Sequence, residues 1–328
     1  MSYDVFGMCN ALYDIQAEIP EALLTELNLP KGSMTLIEEA QQRELVTKVY
    51  THIVNSESGG SGANTMIGIA QLGGSASFTS RIGTDEHGTL YTEGLASKGV
   101  KSCMGQGEGL TGICMILLTP DAERTMCTFL GLGREVKPAD IDLAALSVSK
   151  YLYVTGYLWD TDSQKAAVLH AMQSARAAGV KVALSLSDSF CVHRHKADFL
   201  HLIQEHVSLL FGNEEEALVL TDTTHPHDAI RAMAPYCDMA AVTMGSQGSL
   251  LREGETLYEI PAFPIHAVDT TGAGDMYAAG LLYGLTQGLS LETTGRLAAY
   301  VSAQVVGKLG PRLEVLDSEA IARICAAG

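Results

Sequence analysis

Short apolar runs alternate with amphipathic stretches along most of the 328 residues, and this alternation constrains the fold more than any other feature. "YDVFGMC" (Tyr3–Cys9), "SASFTSRIG", "YLYVTGY" (Tyr151–Tyr157), "VKVALSL" (Val180–Leu186), "VSLLFGN" (Val207–Asn213) and "MAAVTMG" (Met239–Gly245) read as buried strands. Between them "ANTMIGIAQLGG", "SQKAAVLHAMQSARAAG", "DFLHLIQEHV" and "HDAIRAMAPYC" carry helical spacing, and the second closes on Ala-Ala-Gly, a common helix stop. Strand, helix, strand in steady succession implies right-handed parallel crossovers. The predicted fold is α/β: a doubly wound, mostly parallel sheet with helices on both faces. A hydrophobic content of 47% supplies the core for it.

Two stretches break the alternation. Residues from about Leu12 to Ile37 leave the first strand without entering a helix directly. Residues from about Ser102 to Leu132 hold "GICMILLT" and "RTMCTFLG" around the turn-forming "PDAE" (Pro120–Glu123), which is hairpin chemistry. The two insertions either pair into a small β-sheet lid over the site or decorate an edge of the main sheet. The first reading divides the chain into a core of about 1–11, 38–101 and 133–328 and a lid of about 12–37 and 102–132.

The formal charge of −17 repels phosphate backbones and anionic lipid, so neither nucleic acid nor membrane is an expected partner. A small anionic ligand in a locally positive site stays open. The seven cysteines are odd in number, form no CxxC pair and show no metal spacing. They read as reduced, buried thiols of a cytoplasmic protein. No apolar run approaches the ~18 residues of a membrane span. The N-terminal "MSYDVFGMCN" carries Asp4 and no basic region, and reads as a first strand rather than a signal peptide.

Late in the chain stands "VDTTGAGDMYAAG". Ligands of open α/β sheets bind beyond the carboxyl ends of the strands, where loops enter helices. Small residues at Gly272, Ala273 and Gly274 let the backbone approach a ligand closely. The first N–H groups of the helix that follows have no internal partner, so the turn can act as an anion hole for a phosphoryl group in flight. Asp275 at that helix start can accept the proton of an incoming hydroxyl. The alternative is an ordinary Gly-rich turn with a first-turn acid favoured by the helix dipole. No GxxxxGK[ST] loop occurs, and "GQGEG" lacks the strand-turn-helix context of a dinucleotide fingerprint.

Together with the early "SGGSGANTMIGIAQLGG" (Ser58–Gly74), this stretch resembles the two signature regions of the ribokinase-like superfamily of sugar and nucleoside kinases. Their order and spacing cover almost the whole chain. "FGNEEEA" is similar to that family's Asn-x-x-Glu motif. The resemblance implies that Asn213 and Glu216 organise Mg²⁺-bound phosphates, Glu216 mostly through water. "VTMGSQGSLL" resembles its T-x-G-x-x-G pattern, which implies that Thr243, Gly245 and Gly248 approach ATP. Asp269 and Thr271 match the positions of a monovalent-cation (K⁺) site in many relatives, and a helix-capping role for Asp269 stands beside that reading.

The resemblance is strongest to the adenosine kinase branch. It implies that Asn10 and Asp14 hold the sugar, Asp14 accepting two hydrogen bonds from a vicinal diol. It implies that Gly59, Gly60, Ser61 and Asn64 line the sugar's other side. Tyr157, Leu158, Met126, Thr128 and Leu130 are candidates for a base slot. Arg124 matches an arginine that swings over the phosphates when the lid closes, or is an exposed hairpin charge. The expected activity is ATP- and Mg²⁺-dependent phosphorylation of a ribonucleoside 5′-hydroxyl, adenosine foremost. A kinase of free sugars or of inosine and guanosine is the alternative, and both monomer and homodimer remain open.

Overall fold

The computed structural model describes residues 2–121 and 123–326. Nine strands form the main sheet in the order Thr256–Ile260, Ser249–Glu253, Met239–Thr243, Leu209–Asn213, Lys181–Ser185, Ser149–Thr155, Tyr3–Met8, Ala76–Thr79 and Val100–Ser102. The seven strands from Met239–Thr243 to Val100–Ser102 run parallel, and the other two close the edge antiparallel. The predicted doubly wound α/β fold is the fold observed.

Two-residue alternation along the strands separates the two cores. Val5, Tyr153, Ala183, Phe211 and Ala241 pack on one face with Met66, Ile67, Tyr277 and Leu281. Phe6, Met8, Val154, Leu184 and Val242 pack on the other with Val168, Met172, Phe199 and Ile230. Ser61–Gln71 and Ala273–Thr286 cover the first face and are buried on nearly every side, whereas Asp162–Ala177 and Ser189–His206 cover the second and bury one apolar stripe each.

The two insertions meet in a second sheet of five strands, ordered Met34–Leu36, Arg124–Phe129, Gly112–Leu118, Leu12–Glu18 and Ile53–Gly59. Gly112–Leu118 and Arg124–Phe129 form the expected antiparallel hairpin, and Ala122 of its Pro120–Glu123 turn lies outside the described residues. One boundary differs from the sequence reading. Ile53–Gly59, assigned there to the core, pairs antiparallel with Leu12–Glu18 and forms an edge of the small sheet. Its weak apolar pattern gave no strand signal: "IVNSESG" is mostly exposed or half-buried. Gly105–Gly107 also departs, pairing with Arg81–Gly83 in a separate two-stranded sheet.

One face of the small sheet is apolar: Ile15, Met115, Leu117 and Cys127 are buried in the first core. Leu24, Leu45 and Val49, from helices Glu21–Glu26 and Glu39–Val49, join the same core and cover that face. The other face carries Asp14, Cys114, Arg124 and Thr128.

Candidate active site

The parallel strands deliver their C-terminal residues to one cleft. Asn10 follows Tyr3–Met8, Tyr157 follows Ser149–Thr155 and Ser187 follows Lys181–Ser185, while Asn213 and Thr243 end their own strands. This is where an open parallel sheet places its ligands. The helix Ala273–Thr286 starts at the same cleft, capped by Gly272 with φ +77°. That left-handed backbone favours glycine, and a Cβ there would also overlap the Pro311 carbonyl. A Cβ on Gly274 would meet nothing, so its missing side chain leaves space for a ligand over the helix start. Met276 is the residue whose N–H closes on Gly272, and the N–H groups of Gly274 and Asp275 precede that first turn.

Asp275 is fixed by two donors from the early glycine-rich segment. Ser61 Oγ donates to Oδ1 at 2.5 Å, and Asn64 Nδ2 donates to Oδ2 at 2.9 Å. Ser61 and Asn64 sit on the first turn of one helix, which begins after Gly60 at φ +87°. Burial pushes the Asp275 carboxyl up from its ordinary value, and Ser61, Asn64 and the Arg312 guanidinium hold it back. The resemblance put Ser61 and Asn64 on the sugar; the geometry gives both side chains to the carboxylate. Asn64 Oδ1 is buried without a partner and is the atom left to meet a ligand.

Asn10 and Asp14 are 5% and 6% exposed. Gln164 donates to Asn10 Oδ1 at 2.9 Å, so the Asn10 amide is oriented from behind. Asp14 lies against the Gly59 backbone, and a Cβ at Gly59 would overlap its carboxylate. Burial pushes Asp14 up to about 7; Arg312 and Arg124 oppose that shift, and Glu57 and Asp275 add to it. Arg312 reaches in from the segment between helices Leu291–Val306 and Ser318–Ala326. Its Nη2 lies 2.6 Å from Glu57 Oε2, and its Nη1 donates to the Ser58 carbonyl.

A cavity of about 300 Å³ joins Ser61, Gly272, Gly274 and Asp275 to Asn213, Glu216 and Thr243. Asn213 and Glu216 form a reciprocal capping box: Glu216 Oε2 accepts from Asn213 N at 3.0 Å, and Oε1 accepts from Asn213 Nδ2 at 2.7 Å. Burial pushes Glu216 up to about 7. Ser187 lines this cavity at φ +77°, a strained backbone for a serine, with the Tyr157 hydroxyl donating to its carbonyl at 3.1 Å. A second cavity, about 640 Å³, opens beside it between Gly245, Ala262, Phe263, Ile265, Tyr277 and Val306. It shares Thr243, Gly274 and Tyr277 with the first cavity. Gly248 stands at its edge with φ +94°, where a Cβ would overlap the Ile260 carbonyl, so its need for glycine is already met by the turn.

Arg124 is drawn inward and is not an exposed hairpin charge. Its Nη1 pairs with Asp269 Oδ2, and its Nε and Nη2 are buried with no partner. Asp269 also accepts from Thr271 N and Gly310 N, both at 2.9 Å. Burial alone would raise the Asp269 carboxyl; the Thr271 side chain, those two N–H groups and the Arg124 guanidinium bring it below its ordinary value. Arg124 therefore holds the carboxylate that the resemblance assigned to a monovalent cation.

Two base-slot expectations need correction. Leu158 is 0% exposed, because its side chain fills the second core with Trp159 and Phe199. Tyr157 faces the cavity of Asn213 and Asp275 and not the lid. Thr128 and Leu130 do line a lid-side cavity of about 710 Å³, together with Leu36, the register neighbour of Thr128 on the next strand. Met126 lies half-buried on the same strand face as Thr128. Leu36, Glu57, Ser187 and Arg312 are site residues that the sequence reading missed. Leu36 had a trace in the apolar-polar alternation of "MTLI"; Arg312 had none beyond a preceding Gly-Pro.

Comparisons with known proteins identify the family. The model of the pfkB family of carbohydrate kinases matches residues 31–317. A probable sugar kinase protein from Rhizobium etli superposes with TM-score 0.89 at 36% identity, covering 98% of this chain and 99% of its own. The adenosine kinase from Sinorhizobium meliloti superposes with TM-score 0.87 at 37% identity, again covering 98% and 99%. A 5-dehydro-2-deoxygluconokinase from Halalkalibacterium halodurans is 28% identical over 76% of this chain and 80% of its own. The family match spans most of the chain: it belongs to the pfkB family of carbohydrate kinases, phosphotransferases acting on alcohol groups, as a sugar or nucleoside kinase.

Proposed function

We propose that this kinase transfers the γ-phosphoryl group of ATP to the 5′-hydroxyl of a ribonucleoside, adenosine foremost, giving AMP. The observation that carries the reading is a row of side chains across the small sheet. Glu57, Asp14, Cys114, Thr128 and Leu36 are register partners on five neighbouring strands and so share one face. From Asp14 to Leu36 the row crosses three strand spacings, about 14 Å. That length suits a ribose at Asp14 and a base beyond it, at Thr128 and Leu36. A free sugar would use the Asp14 end alone and leave Leu36, 54% exposed, with nothing to cover.

The chain's own groups divide the chemistry. Asp14 accepts hydrogen bonds from the ribose hydroxyls. Asp275, held by Ser61 and Asn64, takes the proton of the 5′-hydroxyl. The turn Gly272–Gly274 and the free Nε and Nη2 of Arg124 receive charge as it builds on the transferring phosphoryl group. In such a loose transition state, position and charge matter more than base strength. The apolar cavity of about 640 Å³ fits the adenine of the donor.

Among the described residues no group of three or more His, Cys, Asp or Glu is placed to hold a metal ion. Mg²⁺ would be carried on the phosphates, with Asn213 and Glu216 meeting it through water. Bound there, Mg²⁺ would offset phosphate charge. K⁺ at Asp269 and Thr271 fits less well, because Arg124 already supplies the positive charge. The reading is tested by incubating the enzyme with ATP, Mg²⁺ and adenosine and identifying the product. AMP with its phosphate on the 5′ oxygen supports it; ribose 5-phosphate from ribose, with adenosine untouched, overturns it.

A further inference from the structure

The tripeptide Gly310-Pro311-Arg312 touches both halves of the site. Gly310 N donates to Asp269, and the Pro311 backbone packs against Gly272. Arg312 reaches the other half, pairing with Glu57 and bonding the Ser58 carbonyl just before the Gly59-Gly60 pair. Gly59 is the seat of Asp14, and Glu57 is Asp14's neighbour across the strand pair. Arg312 is 9% exposed, and its Nη2 is buried with Glu57 as its ion-pair partner.

We propose that Arg312 is a positioning residue for acceptor binding: it holds the Glu57–Asp14 end of the sheet row in place and ties it to the anion-hole loop. No part of that role requires it to touch the substrate. A surface tether would not need a buried guanidinium paired with a carboxylate, since an unpaired buried charge is costly. The inference rests on Asp14 as the hydroxyl clamp, whichever acceptor the clamp takes.

The charges around Asp14 give the proposal a directional consequence. Its titratable and charged neighbours are Arg312, Glu57, Arg124, Asp275, Cys114 and Tyr91. Arg312 is the main influence against the upward push of burial, and Glu57 acts in the opposite sense. Asp14 accepts two hydroxyls only when ionised. Removing the guanidinium should therefore move the acid limb of acceptor kcat/KM to higher pH, and neutralising Glu57 should move it lower.

The test first finds the best acceptor of the unmodified enzyme in a panel of adenosine, inosine, guanosine, ribose and fructose. Arg312→Gln, Arg312→Lys and Glu57→Gln are then compared with that acceptor and with ATP. Arg312→Gln should raise acceptor KM about tenfold or more and leave the KM for ATP within about twofold. Its acid limb should rise by about one pH unit, with Arg312→Lys recovering part of both losses. Glu57→Gln should shift the limb the other way, and with Arg312→Lys it carries the test if Arg312→Gln does not fold. Equal losses on acceptor and ATP, or limbs that do not move in opposite directions, would overturn the role. If the best acceptor is a free sugar, the nucleoside reading falls, and the same measurements on that sugar still decide the role of Arg312.

Discussion

Asn64 donates to Asp275 Oδ2 at 2.9 Å, joining two residues 211 positions apart in sequence. Ser61, three residues before Asn64, donates to the other oxygen. The early glycine-rich segment therefore orients the carboxylate of the late one.

Replacing that carboxylate tests its role as base. Asp275→Asn keeps the side chain's shape and removes the proton acceptor. Turnover should fall about 10²–10⁴-fold, with acceptor affinity by calorimetry nearly unchanged. Near-normal turnover would remove Asp275 as the base.

The two donors set the pH at which that base works. Ser61 and Asn64 both lower a carboxyl that burial raises. The base acts ionised, so activity falls as pH falls through its folded pKa. Ser61→Ala and Asn64→Ala should each move the acid limb of kcat to higher pH. An unmoved limb in both variants would separate those hydrogen bonds from catalysis.

Glycines at the two ends of the site should fail in different ways. Gly59→Ala puts a methyl into the Asp14 carboxylate without a left-handed backbone, so the chain should fold and acceptor KM should rise while the KM for ATP holds. Gly272→Ala combines φ +77° with a clash against Pro311. It should cost at least about 1–2 kcal/mol in urea unfolding and lower turnover as the anion hole shifts.

Much of this was legible in the sequence, and the parts that were not share a cause. The parallel strands announce themselves because both faces are buried, which makes each an apolar run. The glycine-rich turns announce themselves because backbone approach requires small residues. Ile53–Gly59 was missed because an edge strand over a polar cleft has no apolar alternation. Leu158 was misplaced because motif position cannot tell a cleft-facing side chain from one turned into the core. Arg312 was invisible because its partners, Glu57 and Ser58, lie more than 250 residues away along the chain.

Asp14 also links function to stability. Burial pushes its folded carboxyl up to about 7, against ~3.9 in an unfolded chain. Between those values the folded state binds more protons, so stability falls as pH rises through that window. Asp14→Asn should therefore raise the Tm of the ligand-free enzyme at pH ~8 and have little effect at pH ~4, while acceptor binding is lost. A lower Tm at pH ~8 would mean that the ionised carboxylate is net stabilising where it sits.

The most direct measurement of the central claim is kcat/KM for adenosine and for ribose, taken side by side at saturating ATP and Mg²⁺. The row from Asp14 to Leu36 predicts adenosine favoured by about 100-fold or more, since burying a base in a fitted pocket is worth several kcal/mol. Ribose or fructose used as well as adenosine, or better, would contradict it.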